Sequence, residues 1–281
     1  MLADLLRNYS AEVTCRDEKS IRAAESLMRP GSEVFIVSLP SDTEDRRIAV
    51  AAELRHAGLV PVPHIVARNI GSRADLETLL RRLTHEAGVD RTLILGGDRS
   101  EPIGEFDSSQ QLLETGLFDA FGIRKIKLSW YPEGHPRIST SELAKARAAK
   151  LRVAAARGLD VELIGQFCFE SAPIIASARQ LRAEGIQVPL RVGVAGPASR
   201  ASLLKYAMIC GVGASVRALK ERPGARSLLN SESPERLLRE VAHAQAEEPS
   251  LGIHRVHFFT FASVASTAQF VEQHSAQRLP A

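Results

Sequence analysis

The amino-acid sequence predicts one (β/α)8, or TIM, barrel that occupies residues 1–281 as a single α/β domain. Short apolar runs alternate eight times with longer amphipathic segments, and strands that alternate with helices pair in parallel through right-handed crossovers. No GxGxxG turn follows the first run, as it would in an open dinucleotide-binding sheet. Eight strand–helix units in about 260 residues therefore favour a closed barrel over an open doubly wound sheet.

The eight apolar runs are expected to be strands buried on both faces, because each is short and is bounded by Gly, Pro or charged residues. In chain order they are AEVTC at 11–15, EVFIVSL at 33–39, VPVPHIVA at 60–67, RTLILGG at 91–97, KIKLSWYP at 125–132, VELIGQFCF at 161–169, LRVGVAG at 190–196 and VHFFTF at 256–261.

The segments between the strands are expected to be helices, because their apolar residues recur at i, i+3, i+4 and i+7. They lie at 18–28, 43–58, 74–88, 141–158, 172–185, 199–211 and 232–248, and the last of them is an extra helix before the final strand. Asp75 and Ser141 are candidate N-caps, and Gly158, Gly185 and Gly211 are candidate C-caps.

Composition and charge exclude several classes of protein. The chain is 44% hydrophobic and 25% charged, as globular proteins are, with a net charge of +3 from basic and acidic residues that are interleaved. We therefore expect anionic small molecules rather than nucleic acid as partners. Cys15, Cys168 and Cys210 lie far apart, which indicates buried thiols rather than disulfides or a metal site. With neither a signal peptide nor a membrane-length apolar run, the sequence predicts a cytoplasmic protein that does not bind membranes.

The functional residues of such barrels lie at the carboxyl ends of the strands. The loop WYPEGHP after the fifth strand is fixed by two prolines and a glycine and carries Tyr131 and His135, which suit stacking on a planar ligand. Asp98 follows the fourth strand in GGD, and His64 lies in the third. Glu12 and Gln166 are placed inside apolar strands. His257 and Thr260 are polar positions of the eighth strand.

Two of these residues have side chains suited to binding and protonating a heterocyclic ligand. Burial would raise the pKa of the Glu12 carboxyl and make it a general acid near neutral pH. The amide of Gln166 donates and accepts hydrogen bonds at once, as recognition of a heterocycle edge requires. Each residue also has a purely structural interpretation, as a satisfied core polar group or a turn residue.

Taken together, the segments PVPHIVA, GGD, WYPEGHP, GQFCF and HFFTF resemble those of methylenetetrahydrofolate reductases along nearly the whole chain. The resemblance implies noncovalent FAD, NADH or NADPH as the reductant, and reduction of 5,10-methylenetetrahydrofolate to 5-methyltetrahydrofolate by ping-pong hydride transfer. That activity belongs to one-carbon metabolism and methionine biosynthesis.

The resemblance also implies roles for individual residues. Glu12 is the expected general acid, and Asp98 is expected to meet both the pterin and the flavin. Gln166, Phe169 and Phe261 are expected to contact the folate. The remaining expected flavin contacts are Ser38, His64, Ser109, Tyr131, His135, Arg147 and Lys150.

Some residues depart from that family, and alternatives stay open. The first strand lacks the usual Phe-Phe-Pro-Pro run, and Ala201 occupies the place of an aromatic residue. A flavin-independent reductase, a pterin-binding methyltransferase barrel and a non-catalytic folate-binding or assembly protein are the alternatives. A homo-oligomer is possible.

Overall fold

The computed structural model describes residues 1–209 and 231–275. Its barrel strands are β1 (Ser10–Thr14), β2 (Glu33–Val37), β3 (Val60–Val66), β4 (Arg91–Leu95), β5 (Lys125–Trp130), β6 (Asp160–Gly165), β7 (Leu190–Ala195) and β10 (Ile253–Phe259). Two short strands, β8 (Ala198–Ser199) and β9 (Ser231–Glu232), pair with each other in antiparallel orientation.

Helices follow the strands along the chain. They are α1 (Leu2–Leu6), α2 (Glu18–Leu27), α3 (Glu44–His56), α4 (Arg73–Ala87), α5 (Ser109–Glu114), α6 (Leu117–Ala120), α7 (Thr140–Ala156), α8 (Ser171–Ala183), α9 (Arg200–Ile209), α10 (Glu235–Glu247) and α11 (Val264–Ser275).

The eight long strands close into a parallel barrel in the order β1-β10-β7-β6-β5-β4-β3-β2. The predicted (β/α)8 barrel is therefore confirmed, and α10 is the extra helix expected before the last strand. The prediction of one domain over residues 1–281 stays a prediction. Cys15 and Cys168 are buried free thiols, as expected, whereas Cys210 and Gly211 lie outside the described residues.

Two local predictions were wrong. β6 ends at Gly165, so Gln166 follows the strand instead of lying inside it. The reason is that Gln166 Oε1 accepts the Phe167 N–H at 3.0 Å, in place of a ladder bond. The N-cap of α4 is Ser72, whose Oγ accepts the Asp75 N–H at 3.1 Å, because a Ser side chain three residues before Asp75 satisfies that orphan donor.

The chain divides into two compact units. Unit 1 comprises Met1–Glu12, Trp130–Thr140 and the described residues from Leu163 onward. It contains the β7–β10 pair, in which His257 is in register with Gly193, and every position of β7 is buried. Strands enclosed on both faces are largely apolar, and the other residues of LRVGVA fit this rule, whereas Arg191 is a charged residue that is itself fully buried.

Unit 2 comprises Val13–Ser129 and Ser141–Glu162. In it β2, β3, β4 and β5 pair in sequence, and α3 packs against β3 and α4. Charged residues stand at the beginning of β2, β4, β5 and β6. Among them, the buried carboxylate of Glu33 accepts from Arg91 Nη1 at 2.6 Å.

Gly193 of β7 is expected to tolerate no larger residue. A Cβ at this position would lie 1.9 Å from the backbone oxygen of Gly165, and neither strand can yield without breaking its ladder. Gly193→Ala should lower the free energy of unfolding by about 2–3 kcal/mol, as overpacking of a core does. Gly96→Ala is the control, because a Cβ at Gly96 meets nothing within 4 Å. Urea unfolding followed by circular dichroism measures both; equal stability of the two variants would contradict the expectation.

Candidate functional site

A buried carboxyl and an imidazole face each other in unit 1. Glu12 Oε2 lies 3.6 Å from His257 Nε2, and His257 Nδ1 lies 2.9 Å from Ser10 Oγ. The three come together because Ser10 and Glu12 share one face of β1, which pairs with β10 at the register of Ser10 and His257. Ser10 and His257 are buried. Burial raises the pKa of the Glu12 carboxyl to about 8, so this group is protonated at neutral pH.

One arrangement of the protons satisfies these contacts. Ser10 Oγ can donate to the backbone oxygen of Val256 at 3.5 Å and accept from His257 Nδ1–H at 2.9 Å. In that tautomer a neutral imidazole presents its Nε2 lone pair toward the Glu12 carboxyl, 3.6 Å away. The group of Ser10, Glu12 and His257, here called the acid cluster, can therefore hold and release one proton at the carboxyl.

The chain immediately after β10 has a strained backbone. Phe261 and Ala262 have φ values of 48° and 66°, in the left-handed region that non-glycine residues rarely adopt. Thr260 Oγ1 donates to the backbone oxygen of Glu12 at 2.7 Å and so fixes this segment to β1. Strained residues tend to occur at ligand sites, because the surrounding structure must hold them in place.

Aromatic rings gather in the same unit. The aromatic cluster consists of Phe167, Phe169, Phe259, Phe261 and Tyr206. Tyr206 stacks on Phe261 with ring centroids 4.3 Å apart and an interplanar angle of 14°. Phe259 also meets the ring of His257 at a centroid distance of 5.0 Å, which joins this cluster to the acid cluster. Rings in this arrangement suit a planar heterocycle.

An open cleft of about 30 Å³ lies beside Phe169. Its walls come from the segment after β6, the end of β7, α9 and the first turn of α10, including Ala195, Leu203 and Arg236. This volume is far below that of a typical small-molecule site, so a ligand at this place would extend beyond the cleft.

The loop after β5 places Tyr131 and His135 together, as predicted. Their rings meet edge to face with centroids 5.1 Å apart, and His135 Nδ1 accepts from the Arg137 N–H at 3.2 Å.

Burial and then the charge and hydrogen bond of Glu133 raise the pKa of the Cys168 thiol well above its ordinary value, so this thiol stays protonated. Because the oxygen of Gln166 is taken by the backbone, the amide NH2 is the group left for a ligand.

The other predicted residues belong to unit 2. Ser38 follows β2 and accepts from Arg47 Nη1 at 3.2 Å, and the same Nη1 donates to the backbone oxygen of His64 at 3.4 Å. Asp98 is exposed beyond the end of β4, and Ser109 is the buried first residue of α5.

Arg147 and Lys150 are half-buried neighbours on α7 in the same unit. Burial, and secondarily the charge of Arg147, lower the pKa of the Lys150 ammonium to about 8. A contact of this pair with the diphosphate of FAD stays a prediction.

Solved structures similar to this chain are folate and pterin proteins. A Clostridium thermocellum protein that binds two copies of 5-methyl-5,6,7,8-tetrahydrofolic acid is 13% identical, with a TM-score of 0.60, and the match covers 97% of this chain and 100% of that one. Dihydropteroate synthase from Xanthomonas albilineans in complex with 7,8-dihydropteroate is 16% identical with a TM-score of 0.51, over 97% and 94% of the two chains. The Stenotrophomonas maltophilia dihydropteroate synthase with active-site-bound imidazole is 15% identical with the same TM-score and coverage. No family model matches the chain. At these identities the similarity shows the fold.

The identification as a methylenetetrahydrofolate reductase, an NAD(P)H oxidoreductase, was wrong. The similar solved structures are dihydropteroate synthases and a folate-binding protein, and no family model supports a reductase. The resemblance depended on short Gly- and Pro-rich segments at strand ends, which any (β/α)8 barrel needs there, so they indicate the fold more strongly than the chemistry. FAD and NADH or NADPH, which came with that resemblance, remain untested predictions.

The sequence-based selection missed three residues of this site. Ser10 was placed before the first strand, although its two-residue spacing from Glu12 predicts a shared face. Ala201 stands where the resemblance places an aromatic residue. Tyr206 lies on the same helix, α9, and supplies an aromatic ring that stacks on Phe261. Phe167 contacts three of the other aromatic rings, and its alternation with Phe169 was the available signal.

Neither a metal-binding group nor a membrane-spanning helix is found in the described ranges 1–209 and 231–275. Within them, no group of three or more His, Cys, Asp or Glu side chains is placed to hold a metal ion. No helix there is both long and apolar enough to cross a bilayer.

Proposed function

We propose that the chain binds a reduced folate in unit 1, with the pterin between the acid cluster and the aromatic cluster. The observation that carries the proposal is the Glu12 carboxyl, which burial keeps protonated at neutral pH beside His257. A neutral carboxyl donates a hydrogen bond to a ring nitrogen without the desolvation cost of an ion. The folate and pterin ligands named for solved proteins of this fold support the same ligand class.

The individual roles follow from the geometry. The stacked rings of Phe261 and Tyr206 provide an aromatic surface for the pterin or the aminobenzoyl group. The Gln166 NH2 donates to an acceptor on the ligand edge, and Glu12 donates its proton to a pterin nitrogen. His257 positions the Glu12 carboxyl, and the imidazole is itself held by its hydrogen bond with Ser10 Oγ.

Titration calorimetry with 5-methyltetrahydrofolate and tetrahydrofolate, under anaerobic conditions, tests the proposal. Wild-type protein should bind with saturation, and Phe261→Leu should bind about tenfold more weakly, because aromatic stacking contributes on the order of 1–3 kcal/mol. Phe121→Leu, a half-buried residue of unit 2, is the matched control and should keep wild-type affinity. Absence of saturable binding, or equal affinity of the two variants, would refute the folate site. A visible absorption spectrum of the same purified sample tests the FAD prediction.

Pterin-dependent methyl transfer is the second candidate, and the protonated Glu12 favours it. When a nucleophile such as a thiolate on a second substrate attacks the N5-methyl group, the S–C bond forms as the C–N5 bond breaks, and its electron pair stays on N5. Glu12 would supply the proton that N5 takes up. Formation of tetrahydrofolate from 5-methyltetrahydrofolate and a thiol, measured for the wild type and for Glu12→Gln, separates transfer from simple binding.

A further inference from the structure

Arg47, on the first turns of α3 in unit 2, is a buried cation with neutral partners. Its side chain is only 9% exposed. Nη1 donates to Ser38 Oγ and to the backbone oxygen of His64, and Nε is buried with no hydrogen-bond partner in the part of the chain that the structure describes. None of the ion pairs found among the described residues involves Arg47, and no sequence pattern had singled it out.

A buried guanidinium without a counter-charge is unfavourable, because buried charges are normally paired. Other partly buried arginines of this unit follow that rule. Arg91 pairs with Glu33 at 2.6 Å and with Asp90 at 2.8 Å, and Arg82 pairs with Asp45 and with Glu86, each at 2.7 Å. Arg47 therefore differs from its neighbours in the one feature that determines whether a buried arginine is stable.

Groups near Arg47 do not supply the missing charge. Burial and then the charge of Asp42 raise the pKa of the Cys15 thiol to about 11 even though Arg47 opposes the shift, so the thiol is neutral. Asp42 Oδ1 lies 3.6 Å from Arg16 Nε, and its other oxygen accepts the Leu39 N–H at 2.9 Å. The N-terminal end of α3 adds partial positive charge and increases the need for an anion.

The orientation of Arg47 leaves one edge for a ligand. Nη1 is occupied by its two acceptors, so the edge formed by Nε–H and Nη2–H remains. Two parallel donors on one guanidinium edge match the two oxygens of a carboxylate or phosphate. Ser38 Oγ accepts from Nη1 and so lies beside the guanidinium, with its own O–H left as a third donor.

We propose that Arg47 and Ser38 form a binding site for an oxyanion, the carboxylate or phosphate group of a small molecule. The guanidinium edge binds two of its oxygens and the Ser38 hydroxyl donates to one of them. Because these residues differ from those of the folate site, either site can fail without the other.

Arginine side-chain NMR of 15N-labelled protein tests the site directly. Titration with sodium phosphate or sodium acetate, at constant ionic strength set by sodium chloride, should shift the Arg47 Nε–H resonance to saturation and raise the thermal midpoint. Loss of the resonance in Arg47→Lys assigns it. The anion that binds more tightly identifies the source as phosphate or carboxylate. The Arg82 Nε–H, already bound by Glu86, is the internal control and should not move.

Two variants distinguish a binding site from a structural arginine. Arg47→Lys should bind the anion about tenfold more weakly, because it loses a charge-assisted hydrogen bond. Arg47→Met should be at least as stable as the wild type without added anion, and its thermal midpoint should not respond to phosphate or acetate. If neither anion shifts the wild-type resonance, or if Arg47→Met still gains stability from them, the site does not exist.

Discussion

Glu12→Gln should become progressively more stable than the wild type as the pH rises from 4.5 to about 8, and the difference should vanish in acid. Burial raises the pKa of Glu12 from 4.5 to about 8 in the folded protein. A carboxyl whose pKa is raised on folding contributes stability below its unfolded pKa and has lost that contribution once the pH passes its folded pKa. Glutamine has nearly the same shape and does not ionise. The difference in the free energy of unfolding should therefore grow between these two pH values and reach roughly 5 kcal/mol, at about 1.4 kcal/mol for each unit of pKa shift.

Urea unfolding of the wild type and of Glu12→Gln between about pH 5 and about pH 9 measures this difference, and pH effects common to both proteins cancel. His257 is the titratable group that faces Glu12, so the same titration followed in His257→Gln separates its share. Glu86→Gln is a control in which the pH effect has the opposite sign. The Arg82 hydrogen bond lowers the pKa of Glu86, so the stability that the Glu86 carboxylate contributes appears as the pH rises. Parallel stability curves for the wild type and Glu12→Gln would mean that the carboxyl is not buried as described.

Much of the fold could be predicted because a parallel barrel has a strong one-dimensional signature. Runs such as EVFIV of β2 must be largely apolar on both faces, and helices between them need one apolar face. The sixth strand was predicted too long because QFCF continues the apolar pattern. The Gln166 N–H still donates to the Trp130 backbone oxygen at 2.7 Å, but the Gln166 side chain bonds the next backbone N–H, and after it only an isolated bridge between Cys168 and Val194 remains.

The site was harder to predict, because single polar residues do not reveal their partners. Glu12 was correctly selected as a carboxyl whose pKa would rise, since a polar residue in an apolar strand is a local signal. Its neighbours His257 and Ser10 come from opposite ends of the chain and meet only through the β1–β10 register. Arg47 could not be found in this way, because arginines on helix surfaces are common and the absence of an acidic partner is a property of the folded chain.

Charges at the strand beginnings of unit 2 were overlooked in a similar way. Glu33 and Arg91 were treated as the first residues of apolar runs, and Lys127 and Glu162 were passed over inside such runs. The structure joins them into a buried ion network in which Lys127 Nζ lies against Glu162 and 3.5 Å from Glu33. Opposite charges near the beginnings of several strands of a predicted barrel were the signal, since the interior side chains of a barrel stack in layers to which different strands contribute.

Lys127→Met should be strongly destabilising for this reason. The Lys127 and Glu162 side chains are 8% and 7% exposed, and removal of the ammonium takes the Lys127 charge away from the buried Glu162 carboxylate. Breaking a buried pair from one side costs about 3–5 kcal/mol, because the remaining charge keeps its desolvation penalty. Lys125→Met on the same strand is the matched control. Lys125 is 47% exposed and lies 3.3 Å from Asp90, and a surface pair of this kind contributes about 1 kcal/mol or less.

The double variant Lys127→Met/Glu162→Gln separates loss of the charge partner from loss of packing. If the cost of Lys127→Met comes from the stranded carboxylate, neutralising Glu162 should recover most of it, and the two substitutions should be strongly non-additive in a double-mutant cycle. If the destabilisation by Lys127→Met comes instead from lost packing of the lysine stem, the double variant should be no more stable than Lys127→Met. Recovery would mean that this network contributes little net stability and chiefly sets which strand positions meet, because only the native register brings both carboxylates to Lys127.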